Sequence, residues 1–131
     1  MGSDDRLERI GRERYVSLAT FRKNGDEVRT PVWIARENGA LFVYTNLTSG
    51  KVKRIQRDDR VRLAPCDARG KVRGEWAHGK ARLVSDDATR ERGLRAVLRK
   101  YGWQMRIALL TSRLSGRYKE RAVLSIELTS A

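Results

Sequence analysis

With one cysteine and one histidine in 131 residues, the chain cannot close an internal disulfide and lacks the material for a cysteine- or histidine-rich metal centre. No apolar run approaches the roughly 20 residues that a membrane span needs. No signal-peptide core follows the polar start MGSDDRLERIG, so a cytoplasmic location is expected. Internal repeats, low-complexity tracts and linkers are missing. So are the glycine-rich phosphate loops GxGxxG and GxxxxGK followed by Ser or Thr. Acidic residues are scarce: 16 Asp and Glu stand against 29 Lys and Arg, a formal net charge of +13.

Hydrophobic residues make up 40% of the chain and recur with clear periodicity, which predicts one folded domain over 1–131. The basic excess calls for an anionic partner, and nucleic acid is the obvious candidate. Its distribution is uneven. Residues 1–50 carry eight basic against seven acidic side chains, 51–82 carry eleven against four, and 83–121 carry ten against four. The bland alternative is an arginine-heavy, solvated surface.

Local patterns place the elements. Leu7 and Ile10 suggest a short helix over 4–13, and YVSLATF (15–21) alternates as a half-buried strand. Asn24-Gly25 predicts a tight hairpin into a returning strand over 28–35, where Pro31 implies a bulge or an edge. A turn at 37–39 leads into a strand over 40–45, giving an antiparallel meander. A short helix over 50–57 turns Val52 and Ile55 inward. Strands follow at 60–66 and 75–84. Ser85-Asp86-Asp87 starts a helix carrying Leu94, Val97, Leu98 and Tyr101, which Gly102 stops. A helix over 103–114 and a strand over 122–128 complete the chain. Six strands with late, single helices predict a mainly β, antiparallel, closed or nearly closed barrel rather than a βαβ sheet.

One stretch departs from the generic. YTNLTSGKVKRI (44–55) ends a strand at Thr45, then supplies hydroxyls, a glycine and Lys51, Lys53 and Arg54. If the second and third strands pair through the 37–39 turn, Arg29, Thr30, Pro31 and Val32 lie opposite Tyr44 and Thr45. Thr48, Ser49 and Gly50 would then present backbone N–H groups at a helix start, a favourable place for a phosphate. Lys53 lies roughly 130° around the helix from the Val52/Ile55 face and would have to reach back. A capped, solvated helix start explains the same residues and stays open on spacing alone.

The order YVSLATFRKNG, VRTPVWI, LFVYTNLTSGKVKRI, DDRVRLAPCDARG, EWAHGKARLV resembles the pyridoxamine-phosphate-oxidase-like split-barrel superfamily. Within it, the chain is most similar to small "PPOX class" flavin/deazaflavin oxidoreductases assigned to coenzyme F420. The resemblance covers residues 12–130 and is weakest over 86–120. It implies a six-stranded split β-barrel, a homodimer with cofactor sites at the interface, and hydride transfer between reduced F420 and a small conjugated or aromatic acceptor. FMN is the alternative cofactor, and a basic nucleic-acid-binding module the alternative class. Carried over by position, Arg29, Thr30, Pro31 and Val32 would run past the cofactor's ring and chain. Tyr44, Thr45, Ser49, Lys51 and Lys53 would hold its phosphate. Trp76, from the second subunit, would flank the ring, and 103–114 would wall the substrate pocket. The end VLSIELTSA has none of the basic and histidine residues with which vitamin-B6 oxidases hold their substrate.

No residue is assigned a catalytic role. His78 and Cys66 read as structural, Trp33 and Trp103 as core or interface anchors, Asp86 and Asp87 as helix-start residues, and Arg90, Arg92, Arg95 and Arg99 as a solvated helix face.

Overall fold

The computed structural model describes residues 2–114 and 121–129. Its elements run α1 (Gly2–Arg12), β1 (Tyr15–Phe21), β2 (Glu27–Val32), β3 (Ile34–Glu37), β4 (Ala40–Asn46), α2 (Gly50–Arg57), β5 (Arg60–Cys66), β6 (Ala77–Leu83), α3 (Asp87–Tyr101), α4 (Trp103–Leu114) and β7 (Arg121–Leu128). The described residues hold seven strands rather than six, because the predicted strand over 28–35 is two strands divided at Trp33.

That division decides the architecture. All pairings are antiparallel, and the strand order is β2-β1-β5-β6-β7-β4-β3. The two edge strands, β2 and β3, are consecutive in the chain and separated only by Trp33. Covalent continuity therefore brings both edges to one corner, and the sheet curls into a split barrel. Pro31 lies in edge strand β2, where its missing N–H costs no ladder bond on the open side.

The inward rows are apolar by strand alternation. Val16, Leu18, Leu41, Val43, Val61, Leu63, Leu124 and Ile126 form one buried cluster. Val52 and Ile55 of α2 enter it from one end of the barrel, while Leu7 and Ile10 of α1 also join it. In the first hairpin Gly25 alone takes positive φ, at 92°, and Asn24 instead accepts the Asp26 N–H through its side chain at 3.0 Å.

Helix α3 lies on the outer face of the sheet. Asp86 caps it by accepting the Thr89 N–H at 2.9 Å, and Gly102 ends it. A Cβ on Gly93 would stand 2.8 Å from both Phe42 and Val123, so the helix approaches the sheet more closely than any side chain there would permit. At the corner, Trp33 stacks on Tyr101 with ring centroids 4.8 Å apart. The Tyr101 hydroxyl accepts the Ile34 N–H at 2.9 Å and donates to the Arg14 carbonyl at 2.8 Å. Beside it, Lys100 Nζ donates to the carbonyls of Gly11, Glu13 and Ile34 at 2.8, 2.5 and 2.6 Å. These two residues strap α1 and the barrel corner to α3.

Candidate cofactor site

Strands β1 and β4 both finish at the barrel end that α2 closes. The buried polar side chains among the described residues are Ser17, Thr20 and Thr45, and two of these three are the last inward-facing residues of β1 and β4. A buried hydroxyl needs a partner, and α2 provides both. Lys51 Nζ donates to Thr45 Oγ1 at 3.2 Å, and Arg54 Nε donates to Thr20 Oγ1 at 2.6 Å.

The turn before α2 holds its own shape. The Asn46 side chain accepts the Thr48 N–H at 2.9 Å and the Thr48 hydroxyl at 2.7 Å, while its carbonyl accepts the Ser49 N–H at 3.0 Å. Ser49, at the N-cap, makes no side-chain capping bond, and its Oγ lies 3.5 Å from Thr45 Oγ1. The first turn of α2 contains no acidic residue. Lys51 stands there instead, where the helix dipole disfavours a cation. Burial, then the charge of Arg54, pushes the Lys51 ammonium below its ordinary pKa. Burial, then Arg22 and Arg57, does the same to Arg54. Hydroxyls, a helix start and cations without a nearby carboxylate fit a bound phosphate.

The structure gathers Thr45, Ser49 and Lys51 as expected. Lys53 points into solvent and shares none of these bonds. Arg54, absent from the expected set, takes part. Its signal was the i,i+4 spacing from Gly50, which puts the two on one helical face.

Residues 29–32 divide between the two faces of β2. Thr30, opposite Leu18, and buried Val32 face the barrel interior, while Arg29 and Pro31 face outward. The expected pairing of Arg29–Val32 with Tyr44 and Thr45 does not form. The β3–β4 ladder stops at Ile34 with Val43, and β2 pairs with β1 alone. Tyr101 causes this by taking the Ile34 N–H while its ring stacks with Trp33. The open edge of β2 and the β4 segment Tyr44–Asn46 are left on either side of the split, next to the α2 site.

Arg29 meets Trp76 on the outer face. Arg29 and Arg62 occupy one cross-strand row with Ala19. Their guanidinium carbons lie 4.6 and 4.4 Å from the centroid of Trp76, which immediately precedes β6. Both also bond Glu27. Burial raises the Glu27 pKa, but the bonds from Arg62 and Arg29 outweigh it and hold the carboxyl below its usual value. On α4, Met105 is buried, whereas Trp103, Ile107 and Leu110 are 69%, 53% and 57% exposed at i, i+4 and i+7 spacing.

A family model described as pyridoxamine 5'-phosphate oxidase matches residues 4–130. Among solved structures, a conserved hypothetical protein from Mycobacterium tuberculosis is similar at 21% identity and a TM-score of 0.71, over 98% of this chain and 81% of that one. The heme storage protein HutZ from Vibrio cholerae is similar at 10% identity and a TM-score of 0.68, over 98% and 91%. A structure named F420 reductase is similar at 15% identity and a TM-score of 0.60, over 94% and 93%. At these identities the likeness is one of fold. No curated protein matches the chain.

Proposed function

The chain belongs to the pyridoxamine 5'-phosphate oxidase family, and from that premise we propose that it is an oxidoreductase using a phosphorylated flavin-type cofactor, with reduced F420 passing a hydride to a small conjugated or aromatic acceptor. The observation that carries this reading is the cluster of Thr45, Ser49, Lys51 and Arg54 at the start of α2, beside the split between β2 and β4. The cofactor would supply the hydride chemistry. The protein's part is to hold it. Lys51 and the free N–H groups of α2 bind the phosphate, Thr45 and Ser49 add hydroxyl bonds, and the inward residues Thr30 and Val32 border the ring, while Tyr44 lies on the other face of β4, packed against the cluster that holds Val97 and Tyr101.

F420 is favoured over FMN by the placement of the basic excess, which begins at this site and would attract a polyglutamate tail. FMN is the second reading, and the family description favours it. Nucleic-acid binding has less support, because Trp76 and Phe21, two aromatics on the basic outer face, are already covered by Arg29, Arg62 and Arg60. A second copy of the chain belongs to the reading as well, since the exposed apolar stripe on α4 suits a protein contact.

Titrating the full chain with F420 and with FMN tests it, read by tryptophan fluorescence at two salt concentrations. Quenching by micromolar F420, with FMN weaker, is expected, and sedimentation of the same sample should give a dimer. Tight FMN binding with no F420 binding transfers the chemistry to FMN. Binding of neither removes the cofactor reading.

A further inference from the structure

We propose that Arg54, lodged against Gly50, is the second phosphate-holding cation of the site and makes it selective for the phosphorylated form of its cofactor. This deepens the function proposed above and rests on it.

The seat of Arg54 depends on a missing side chain. A Cβ at residue 50 would stand 2.7 Å from one terminal nitrogen of Arg54 and 3.5 Å from its guanidinium carbon. The guanidinium therefore lies directly over the first turn of α2, where a Cβ at residue 50 would make its flexible end shift. Its Nε is fixed on Thr20 Oγ1 at 2.6 Å, and Thr20 is itself buried. That bond orients the fork, and its terminal nitrogens have no hydrogen-bond acceptor among the described residues. A planar fork fixed through Nε suits two-point binding of a phosphate.

The surrounding charges point the same way. Among the described residues seven other arginines have carboxylate partners: Arg12 on Glu8, Arg29 and Arg62 on Glu27, Arg60 on Asp58, Arg73 on Glu13, Arg90 on Asp87 and Arg92 on Glu37. Arg54 has none. The charges that bear on it are those of Arg22 and Arg57, and it bears in turn on Lys51. Among the described residues no carboxylate offsets this repulsion at Lys51 or Arg54, and an incoming anion would relieve it. The competing explanation is mechanical: Arg54 staples α2 to β1 through Thr20 and has no role toward a ligand.

A cofactor and its dephosphorylated form separate the two. The full chain, R54Q, R54K and G50A would be titrated with FMN against riboflavin, a pair that differs only in the phosphate, and with F420 for comparison. Unliganded thermal melts would confirm that each variant folds. Loss of a charge-assisted bond predicts that R54Q weakens binding of the phosphorylated form by about 10–100-fold and leaves the dephosphorylated form unchanged. R54K should recover part of the loss. G50A, which keeps every charge but shifts the guanidinium from its place over the first turn, should lose part of the selectivity. Equal weakening of both forms, or no change in either, makes Arg54 a staple and overturns the inference. If the wild-type chain binds neither cofactor, the function reading fails by itself, and inorganic phosphate becomes the probe. A phosphate-dependent rise in melting temperature that R54Q abolishes would still support the inference. The same rise in both, or none in either, would overturn it.

Discussion

Replacing Lys100 with methionine is expected to lower the unfolding free energy by about 2–3 kcal/mol, because the carbonyls it serves lose their donor. Those carbonyls belong to Gly11, Glu13 and Ile34, so the loss loosens α1 and the Trp33 corner together. Methionine keeps much of the side chain's bulk, which leaves the missing donor as the main change. The pH dependence provides a second readout. Burial, partly countered by Glu13, holds the Lys100 pKa down to about 8 against an ordinary 10.5. Below about 8 the amine is protonated in both folded and unfolded chains. Between about 8 and 10.5 the unfolded chain holds more protons, so this group makes stability rise with pH. Urea unfolding at pH 7 and pH 9.5 should show the wild-type chain gaining stability relative to K100M at the higher pH. Parallel values at the two pHs would mean that the fold does not depress this pKa.

Lys100 and Tyr101 also mark where reading the sequence stops. Local signals held up well: Val52 and Ile55 face inward on α2, Asp86 caps α3, and Gly102 ends it. Each depends on neighbours a few residues away. The break at Trp33 depends on a hydroxyl 67 residues distant, and no pattern within 28–35 announces it. That is why seven strands appear where six were expected, and why Arg29–Val32 do not pair with Tyr44 and Thr45. The two faces of β2 were legible, however. Successive strand residues point to opposite sides, so Arg29 and Thr30 could never line the same wall. The helical phase of Lys53 was legible too. The seat of Arg54 was only half so, since the Gly50 spacing is local while the bond to Thr20 is tertiary.

Replacing Lys51 with alanine is expected to weaken binding of the phosphorylated cofactor by about 10–100-fold, the worth of one charge-assisted bond in a partly buried site. Replacing the exposed Lys53 should change it by less than about threefold, because solvent and salt screen its charge. Two lysines of the same first turn are thus expected to differ because one lies beside Thr45 and the other points away. The lowered pKa of Lys51 adds a pH signature. A bound phosphate favours the ammonium form and raises that pKa, so above the free-chain value binding must take up a proton. Wild-type affinity should therefore begin to fall at a pH below the ordinary lysine range, while K51A, already weak, stays flat there. Fluorescence titrations across alkaline pH would show this. Equal losses in K51A and K53A would place the phosphate outside the Thr45–Ser49 recess, on the solvent side of α2, where Arg54 would have no hold on it.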